Sequence, residues 1–319
     1  MPRWTSISSL PYELVYEIFL LCLPDGDNVP SPHIPPLLFA NICRQWRLLA
    51  FSMPRLWSCI DKRFKGTLPH ESSILVDPLL ELWLLRARKR QIALSLHSIP
   101  PASFLDLLQR YTTIKHLSVG FPWNADCDRQ APPCGPISYP AVESLILLGP
   151  VGVPRCLTLP NLRDLHYEQT PSQAIIDMVL RSDCAGKLTT LRIHVGGTSD
   201  ALAQLLRMLP AVTSLQLLEL TSRGIRRRPP VVHALDDAKA VPCLTDLDIR
   251  ACFSAAAYTV LVSILTQRRH RLRKVVITLH HYSSGGVEDG SIDEATWSRL
   301  NELKSDGLDL TWSHDWVYF

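Results

Sequence analysis

The sequence predicts an α/β protein in which three N-terminal helices are followed by an irregular repeat solenoid with a parallel sheet. The first observation behind this expectation is a series of apolar residues at helical spacing near the N-terminus. The second is an apolar triplet that recurs through the rest of the chain. The composition agrees, because 319 residues can hold two or three domains and a hydrophobic fraction of 46% is typical of globular proteins.

The first predicted helix covers residues 11 to 22. Pro11 suits the first helical position, where its missing N–H costs nothing, and Pro24 ends the segment. Apolar side chains cover a wide arc of this helix, namely Leu14, Val15, Ile18, Phe19, Leu21 and Cys22. Because a helix on a small core needs a narrower apolar face, we expect part of this arc to contact another molecule.

A second helix is predicted for residues 37 to 52, where Leu38, Ile42 and Trp46 follow one helical face. The sequence MPRLWSCI, residues 53 to 60, then predicts a turn and a short third element. Short helices in so short a region bury little apolar area, so we do not expect this region to be stable alone.

An apolar N-terminal segment can also be a secretory signal, but the residues here argue against one. Arg3 is the only basic residue ahead of the segment, while Glu13 and Glu17 lie in and beside it. The nine cysteines are odd in number and scattered, which favours reduced thiols over a disulfide framework. We therefore expect a cytoplasmic and/or nuclear protein.

Two blocks, LPYELVYEIF and NICRQWRLLAFSMPRLW, resemble the F-box, especially its expanded fungal version. They lie within residues 6 to 60 in the family's order, with a longer proline-rich connection between Pro24 and Leu37 than is usual. The resemblance implies docking on a Skp-family adaptor, and through it on a cullin, in an SCF-type E3 ubiquitin ligase. It also implies that the adaptor-facing surface, or the small core behind it, contains Leu10, Pro11, Leu14, Ile18, Phe19, Cys43 and Trp46.

The expected domains are the F-box at residues 6–60, a linker with a connecting helix at 61–90, and a repeat region at 91–319. The repeat region contains triplets spaced as apolar, two residues, apolar, one residue, apolar. These are Ile114-Leu117-Val119, Val142-Leu145-Leu147, Leu162-Leu165-Tyr167, Leu188-Leu191-Ile193, Val212-Leu215-Leu217, Leu244-Leu247-Ile249 and Leu272-Val275-Ile277. Their central residues are 20 to 32 positions apart.

This period resembles that of leucine-rich repeats, in which each unit contributes one strand to a common parallel sheet. A single unit cannot bury its apolar edge, so units stack until the core is continuous. Residues 93–96 and 307–310 resemble degenerate end copies. Only Cys252 occupies the family's Asn/Cys position, so the repeats resemble the irregular kind.

Helices are predicted between the strands. The connecting helix is expected at residues 77–90, and the repeat helices around 174–182, 200–209, 255–269 and 295–303. Capping-box patterns begin at Thr170 and Ser291, so we expect these residues to cap two of the helices.

The sequence lacks the motifs of the common enzyme and metal sites. It has no P-loop, no nucleophile elbow, no His-Glu-x-x-His and no Cys-x-x-Cys. We therefore expect no catalytic residue, cofactor or metal; an enzyme with an unrecognised site is a third hypothesis. The net charge of +3 is too small to argue for a nucleic-acid or membrane partner.

Two regions are candidates for binding a protein substrate. Arg226, Arg227 and Arg228 belong to a basic loop, and the aromatic C-terminus contains Trp312, Trp316 and Phe319. The alternative for the aromatic segment is a last strand that caps the repeat array. The expected function is substrate recognition in an SCF-type ligase, without catalysis by this chain; the alternative is an F-box-like repeat scaffold outside the ubiquitin system.

Overall fold

The computed structural model describes residues 10–24, 30–63, 78–87, 91–99, 101–121, 135–149, 152–195, 199–219, 231–251, 255–282 and 293–317. Over these residues the protein is mixed α/β with extensive parallel strand pairing, as the sequence predicts. The chain divides into two compact units, Met1–Ala125 and Asp126–Phe319. No described helix is long and apolar enough to cross a membrane.

The first unit begins with helices. They are α1 (Tyr12–Leu21), α2 (Leu37–Ile42), α3 (Arg44–Ser52) and a 3-10 helix at Pro54–Trp57. The single helix predicted for residues 37 to 52 is wrong, because the chain is extended at Cys43, with φ −156° and ψ 169°. The Cys43 thiol accepts the Trp46 backbone N–H at 3.4 Å, so this residue caps α3.

Three parallel strands and two helices complete the described part of the first unit. They are β1 (Cys59–Arg63), α4 (Pro78–Ala87), β2 (Ile92–His97), α5 (Pro101–Arg110) and β3 (Ile114–Gly120). β2 lies between β1 and β3. α4 confirms the predicted connecting helix and β2 the strand expected at 93–96, whereas sequence analysis missed β1 and α5. Trp57 and Trp83 are buried edge to face here, with ring centroids 5.0 Å apart.

The second unit alternates strands with helices. Its strands are β4 (Ile137–Ser138), β5 (Ser144–Leu148), β6 (Leu157–Thr158), β7 (Asp164–Tyr167), β8 (Thr190–Val195), β9 (Ser214–Glu219), β10 (Asp246–Ala251), β11 (Lys274–Tyr282) and β12 (Asp309–Val317). Its helices are α6 (Gln173–Ser182), α7 (Ser199–Arg207), α8 (Ala255–Arg268) and α9 (Glu294–Ser305), with 3-10 helices at Val153–Cys156 and Val231–Leu235. These bounds confirm the helices expected between the strands to within a few residues.

Strands β5 and β7 to β12 pair in parallel and in chain order, while β4 pairs with β6. Every residue of the seven apolar triplets is buried. Because strand side chains alternate between faces, the residues between the buried ones lie on the opposite face. We call this opposite face, which presents half-buried His166, Arg192, Gln216 and Asp248, the polar face of the sheet.

The two predicted helix caps are wrong. The N-cap of α6 is Ser172 and not Thr170, because Ser172 is the last extended residue before the helix. At α9 the cap is Asp293, whose carboxylate accepts the Thr296 N–H at 2.6 Å. The predicted cap Ser291 lies outside the described residues. Asp293 satisfies a backbone donor that has no partner within the first turn.

Candidate partner-binding surface

An exposed row of apolar side chains follows α1. Leu14, Ile18 and Leu21 recur at spacings of four and three residues, which places them along one face of α1, and Leu10 lies two residues before the helix begins. All four are exposed, Leu14 by 51% and Leu21 by 83%. We call these four residues the α1 apolar stripe. Contiguous exposed apolar side chains are typical of protein interaction sites, so the stripe is a candidate partner-binding surface.

A different face of α1 holds the helices together. Phe19 is 1% exposed and stacks on Phe39 of α2, with ring centroids 4.0 Å apart. The Trp46 ring of α3 lies 4.8 Å from Phe19 and 6.0 Å from Phe39. This aromatic cluster and buried Val15 form the small core of the three helices. The α1 apolar stripe therefore lies apart from this core.

Other exposed apolar side chains also concentrate in this region. Beyond the stripe, Tyr12, Ile34, Ile42 and Leu48 are exposed there. In the rest of the described chain, the large apolar side chains with comparable exposure are Leu85, Leu180 and Trp297. The N-terminal helices thus carry most of the exposed apolar surface that the described residues offer.

The residues expected at an adaptor contact fall into two groups. Leu10, Pro11, Leu14, Ile18 and Cys43 are exposed. Phe19 is buried and Trp46 is half-buried, so these two belong to the aromatic cluster. The structure therefore separates the predicted set into residues that a partner can reach and residues that support them.

The C-terminal candidates for substrate binding are only partly described. The Trp312 ring lies 5.9 Å from Tyr258 of α8 and 6.0 Å from Trp297 of α9. Trp312 therefore packs at the end of the sheet, as expected for a capping strand. The backbone of Trp316 lies in β12, but its side chain, with Phe319 and the arginines Arg226, Arg227 and Arg228, is outside the described residues.

The polar face of the sheet brings together charged groups that are far apart in sequence. Asp248 of β10 accepts a hydrogen bond from the Gln216 amide of β9 and lies 3.3 Å from the Arg250 guanidinium. On the neighbouring strands, His166 of β7 lies beside Arg192 of β8. This face has the polar, partly shielded groups that recognition of another protein uses.

One cluster on the polar face was missed by sequence analysis. His166 and His194 face each other with ring centroids 5.9 Å apart, and their ligand atoms and that of Glu168 all lie within 4.8 Å of one another. The three residues match no linear metal motif because they are contributed by two repeats. The sequence could have revealed the cluster if the repeats were aligned on their apolar triplets. In that alignment Glu168 and His194 occupy equivalent positions in neighbouring repeats.

Electrostatics keeps both imidazoles of this cluster uncharged at neutral pH. Burial, together with the positive charge of Arg192 and the neighbouring His194, lowers the pKa of His166 to about 4. Burial also lowers the pKa of His194, while the Glu168 carboxylate opposes that shift. Neutral imidazoles have a free lone pair, which is the form that binds metal ions.

No protein-family model matches the chain, and no curated protein is significantly similar to it in sequence.

Proposed function

We propose that this chain is the substrate-recognition subunit of an SCF-type E3 ubiquitin ligase. In this proposal residues 6–60 dock on a Skp-family adaptor, which binds a cullin, and the repeat region holds the protein substrate. The chain itself performs no chemistry. Its contribution is proximity, since it raises the effective concentration of substrate lysines near the loaded ubiquitin-conjugating enzyme.

The observation that carries this proposal is the α1 apolar stripe. The helices already have their own core in Phe19, Phe39 and Trp46, so the stripe is surplus to internal packing. Keeping four apolar side chains in water costs solvation free energy that a bound partner would recover. The resemblance of the same residues to the F-box names the kind of partner.

The polar face of the sheet supports the substrate-binding half of the proposal. A stack of parallel strands presents a broad surface of side chains from many units, which suits a protein ligand. Arg192, Gln216, Asp248 and Arg250 are half-buried on this face, so part of their desolvation cost is already met. We assign substrate contact to this face in preference to Trp312, which packs against α8 and α9.

The test is capture of a purified Skp-family adaptor by the full-length chain. We expect wild type to retain the adaptor, and Leu14→Asp to lose it, because the variant buries an unpaired carboxylate in the interface. Leu180→Asp is the matched control, since Leu180 is a comparably exposed leucine on α6. That variant should capture the adaptor as wild type does.

Failure of wild type to capture the adaptor would sink the ligase proposal and favour the scaffold outside the ubiquitin system. Equal capture by wild type and Leu14→Asp would remove the α1 apolar stripe from the interface. Circular dichroism of each variant establishes that a loss of capture is not a loss of fold.

A further inference from the structure

His166, Glu168 and His194 are placed together by strand pairing. His166 lies next to Arg192 in the register of β7 and β8. Glu168 is the first residue after β7, and His194 lies in β8 two residues beyond Arg192. The Glu168 backbone N–H donates to the Leu147 carbonyl of β5 at 3.0 Å, which holds the residue in line with the strands. Rigid sheet positions of this kind hold ligands better than loops do.

The two histidines have buried nitrogen atoms that lack a hydrogen-bond partner. Among the described residues, neither His166 Nε2 nor His194 Nε2 is hydrogen-bonded, although both atoms are shielded from solvent. A buried polar atom without a partner costs roughly 1–3 kcal/mol. A metal ion bound between the two rings would accept an electron pair from each Nε2 atom and so remove the free-energy cost of leaving both atoms unpaired.

The donor set selects the kind of ion. Two imidazole nitrogens and one carboxylate suit Zn²⁺ and leave one position of a tetrahedron open, whereas Mg²⁺ and Ca²⁺ prefer oxygen donors throughout. Ligands of a tetrahedral zinc ion lie about 3.3 Å apart, given Zn–N bonds of about 2.0–2.1 Å. The present separations are at most 4.8 Å, so the site requires side-chain rotations that shorten the longest of them by about 1.5 Å.

One charge opposes a cation here. Arg192 lies on β8, beside His166 in the strand register and two residues before His194, and its Nε is also buried without a hydrogen-bond partner. The Glu168 carboxylate offsets this charge. With the fourth metal position open on the polar face, Arg192 favours an anionic group there, such as a carboxylate of a bound protein.

We propose that His166, His194 and Glu168 form a Zn²⁺ site with an open coordination position on the polar face of the sheet. The site does not depend on the ligase proposal, because all three ligands belong to the second unit, whereas the α1 apolar stripe belongs to the first.

The test is calorimetric titration of Zn²⁺ into the full-length chain after chelator treatment. Cys22, Cys43 and Cys243 are exposed and bind zinc adventitiously, so these thiols are first blocked by alkylation. We expect one Zn²⁺ per chain, with affinity about 100-fold lower in His166→Asn and in His194→Asn. The matched control is His233→Asn, which removes an exposed histidine of the same unit and should leave the affinity unchanged.

A second variant and a second measurement distinguish the loss of a metal ligand from the loss of the fold. Glu168→Gln keeps the size of the side chain and should still weaken Zn²⁺ binding about tenfold, while its circular dichroism matches wild type. Co²⁺ bound at the site should give the visible absorption of a tetrahedral ion, and His166→Asn should abolish it. The proposal would be overturned if wild type bound no stoichiometric Zn²⁺. It would also be overturned if folded His194→Asn and Glu168→Gln bound Zn²⁺ with the affinity of wild type.

Discussion

Neighbouring residues of α1 have opposite roles. Phe19 is 1% exposed inside the aromatic cluster, whereas Leu21 is 83% exposed on the stripe. Their side chains point about 200° apart around the helix axis, because each residue turns the helix by about 100°. The same helix can therefore stabilise the region with one face and offer the other to a partner.

Phe19→Ala should destabilise the N-terminal helices. Removing a buried ring costs about 3 kcal/mol or more, since Phe39 and Trp46 lose their stacking partner and a cavity remains. Hydrogen exchange of the α1 amides measures this as a lower free energy of local opening. Leu21→Ala is the control and should leave that free energy nearly unchanged; equal protection in both variants would contradict the assignment of Phe19 to the core.

Cys184 is a buried thiol whose pKa is raised. Its side chain is buried, and its Sγ lies 3.9 Å from the Val179 carbonyl oxygen. Burial raises the pKa of Cys184 to about 11 from an ordinary value of 9.0. The thiolate is the reactive species, so both access and ionisation oppose its modification.

At pH 8 we expect iodoacetamide to modify Cys22, Cys43 and Cys243 while Cys184 stays unmodified until the chain is unfolded in urea. Peptide mass spectrometry measures the modification at each position. Rapid labelling of Cys184 in the folded chain would show that this segment opens.

The raised pKa of Cys184 also predicts a pH dependence of stability. Between pH 9 and 11 the unfolded thiol loses its proton and the native one keeps it, so the free energy of unfolding falls as the pH rises. Relative to Cys184→Ala, wild type should lose about 2 kcal/mol across this window. Urea titrations of both chains at pH 8 and pH 11 measure the difference.

At the scale of elements, arginines in the last turn of two helices hold the irregular segments beside them. Arg181 of α6 donates to the Pro154 and Leu157 carbonyls at 2.7 Å each. Arg268 of α8 donates to four carbonyls, those of Leu235, Asp237, Ala240 and Val241, at 2.8 to 3.4 Å. The planar guanidinium donates to several carbonyls at once, including those of Pro154, Asp237 and Val241, which also accept a backbone N–H.

Arg268→Met should destabilise the second unit by about 3 kcal/mol, because the shielded Leu235 and Ala240 carbonyls lose a donor together, while those of Asp237 and Val241 keep backbone N–H donors. Arg268→Lys should recover only part of this loss, since one ammonium group cannot reach the same set of acceptors. Thermal and urea unfolding measure the change.

Arg269→Met is the matched control for Arg268→Met. Arg269 is the next residue along the chain, and among the described residues its side chain forms an exposed ion pair with Asp306 at 3.6 Å. Pairs of this kind contribute at most about 1 kcal/mol. Equal destabilisation by the two variants would show that the carbonyl contacts of Arg268 carry little energy.

At the scale of the whole chain, strand order follows chain order in the second unit. β8 to β11 each pair on both sides, whereas among the described strands β12 pairs only with β11. The amides of a strand that is paired on both sides are exposed to solvent only when the strands next to it separate. Stability is therefore expected to fall towards the C-terminal strand.

Hydrogen exchange should reveal this gradient. We expect amides of β9, such as Leu215 and Leu217, to exchange more slowly than those of Leu310 and Trp312 in β12. Replacing Trp312 by Ala should speed exchange in β12 first, because its ring packs on Tyr258 and Trp297. Faster exchange in β9 than in β12 would contradict nearest-neighbour stacking.

The local periodicity of apolar residues predicted most of the helices and strands, but it predicted the residues at which the helices begin and end less well. The helix at 37–52 is broken at Cys43, where a side-chain cap that periodicity does not report overrides the apolar pattern. The caps of α6 and α9 differ from those predicted, because several polar residues precede each helix and tertiary contacts choose among them. The domain boundaries and the F-box and leucine-rich-repeat resemblances stay predictions.

The sequence by itself determined strands β5 and β7 to β11, since the apolar triplets that predicted them are all buried, whereas the two-residue strands β4 and β6 have no triplet. Burial of alternating side chains is a property of a few consecutive residues, so a short window contains it. Only the tertiary structure decided which face of α1 stays exposed and which residues meet on the polar face. His166 and His194 meet because parallel pairing aligns units that are 26 residues apart in the chain, so that His166 lies beside Arg192 and close to His194. This relation is set by lateral register rather than by local sequence.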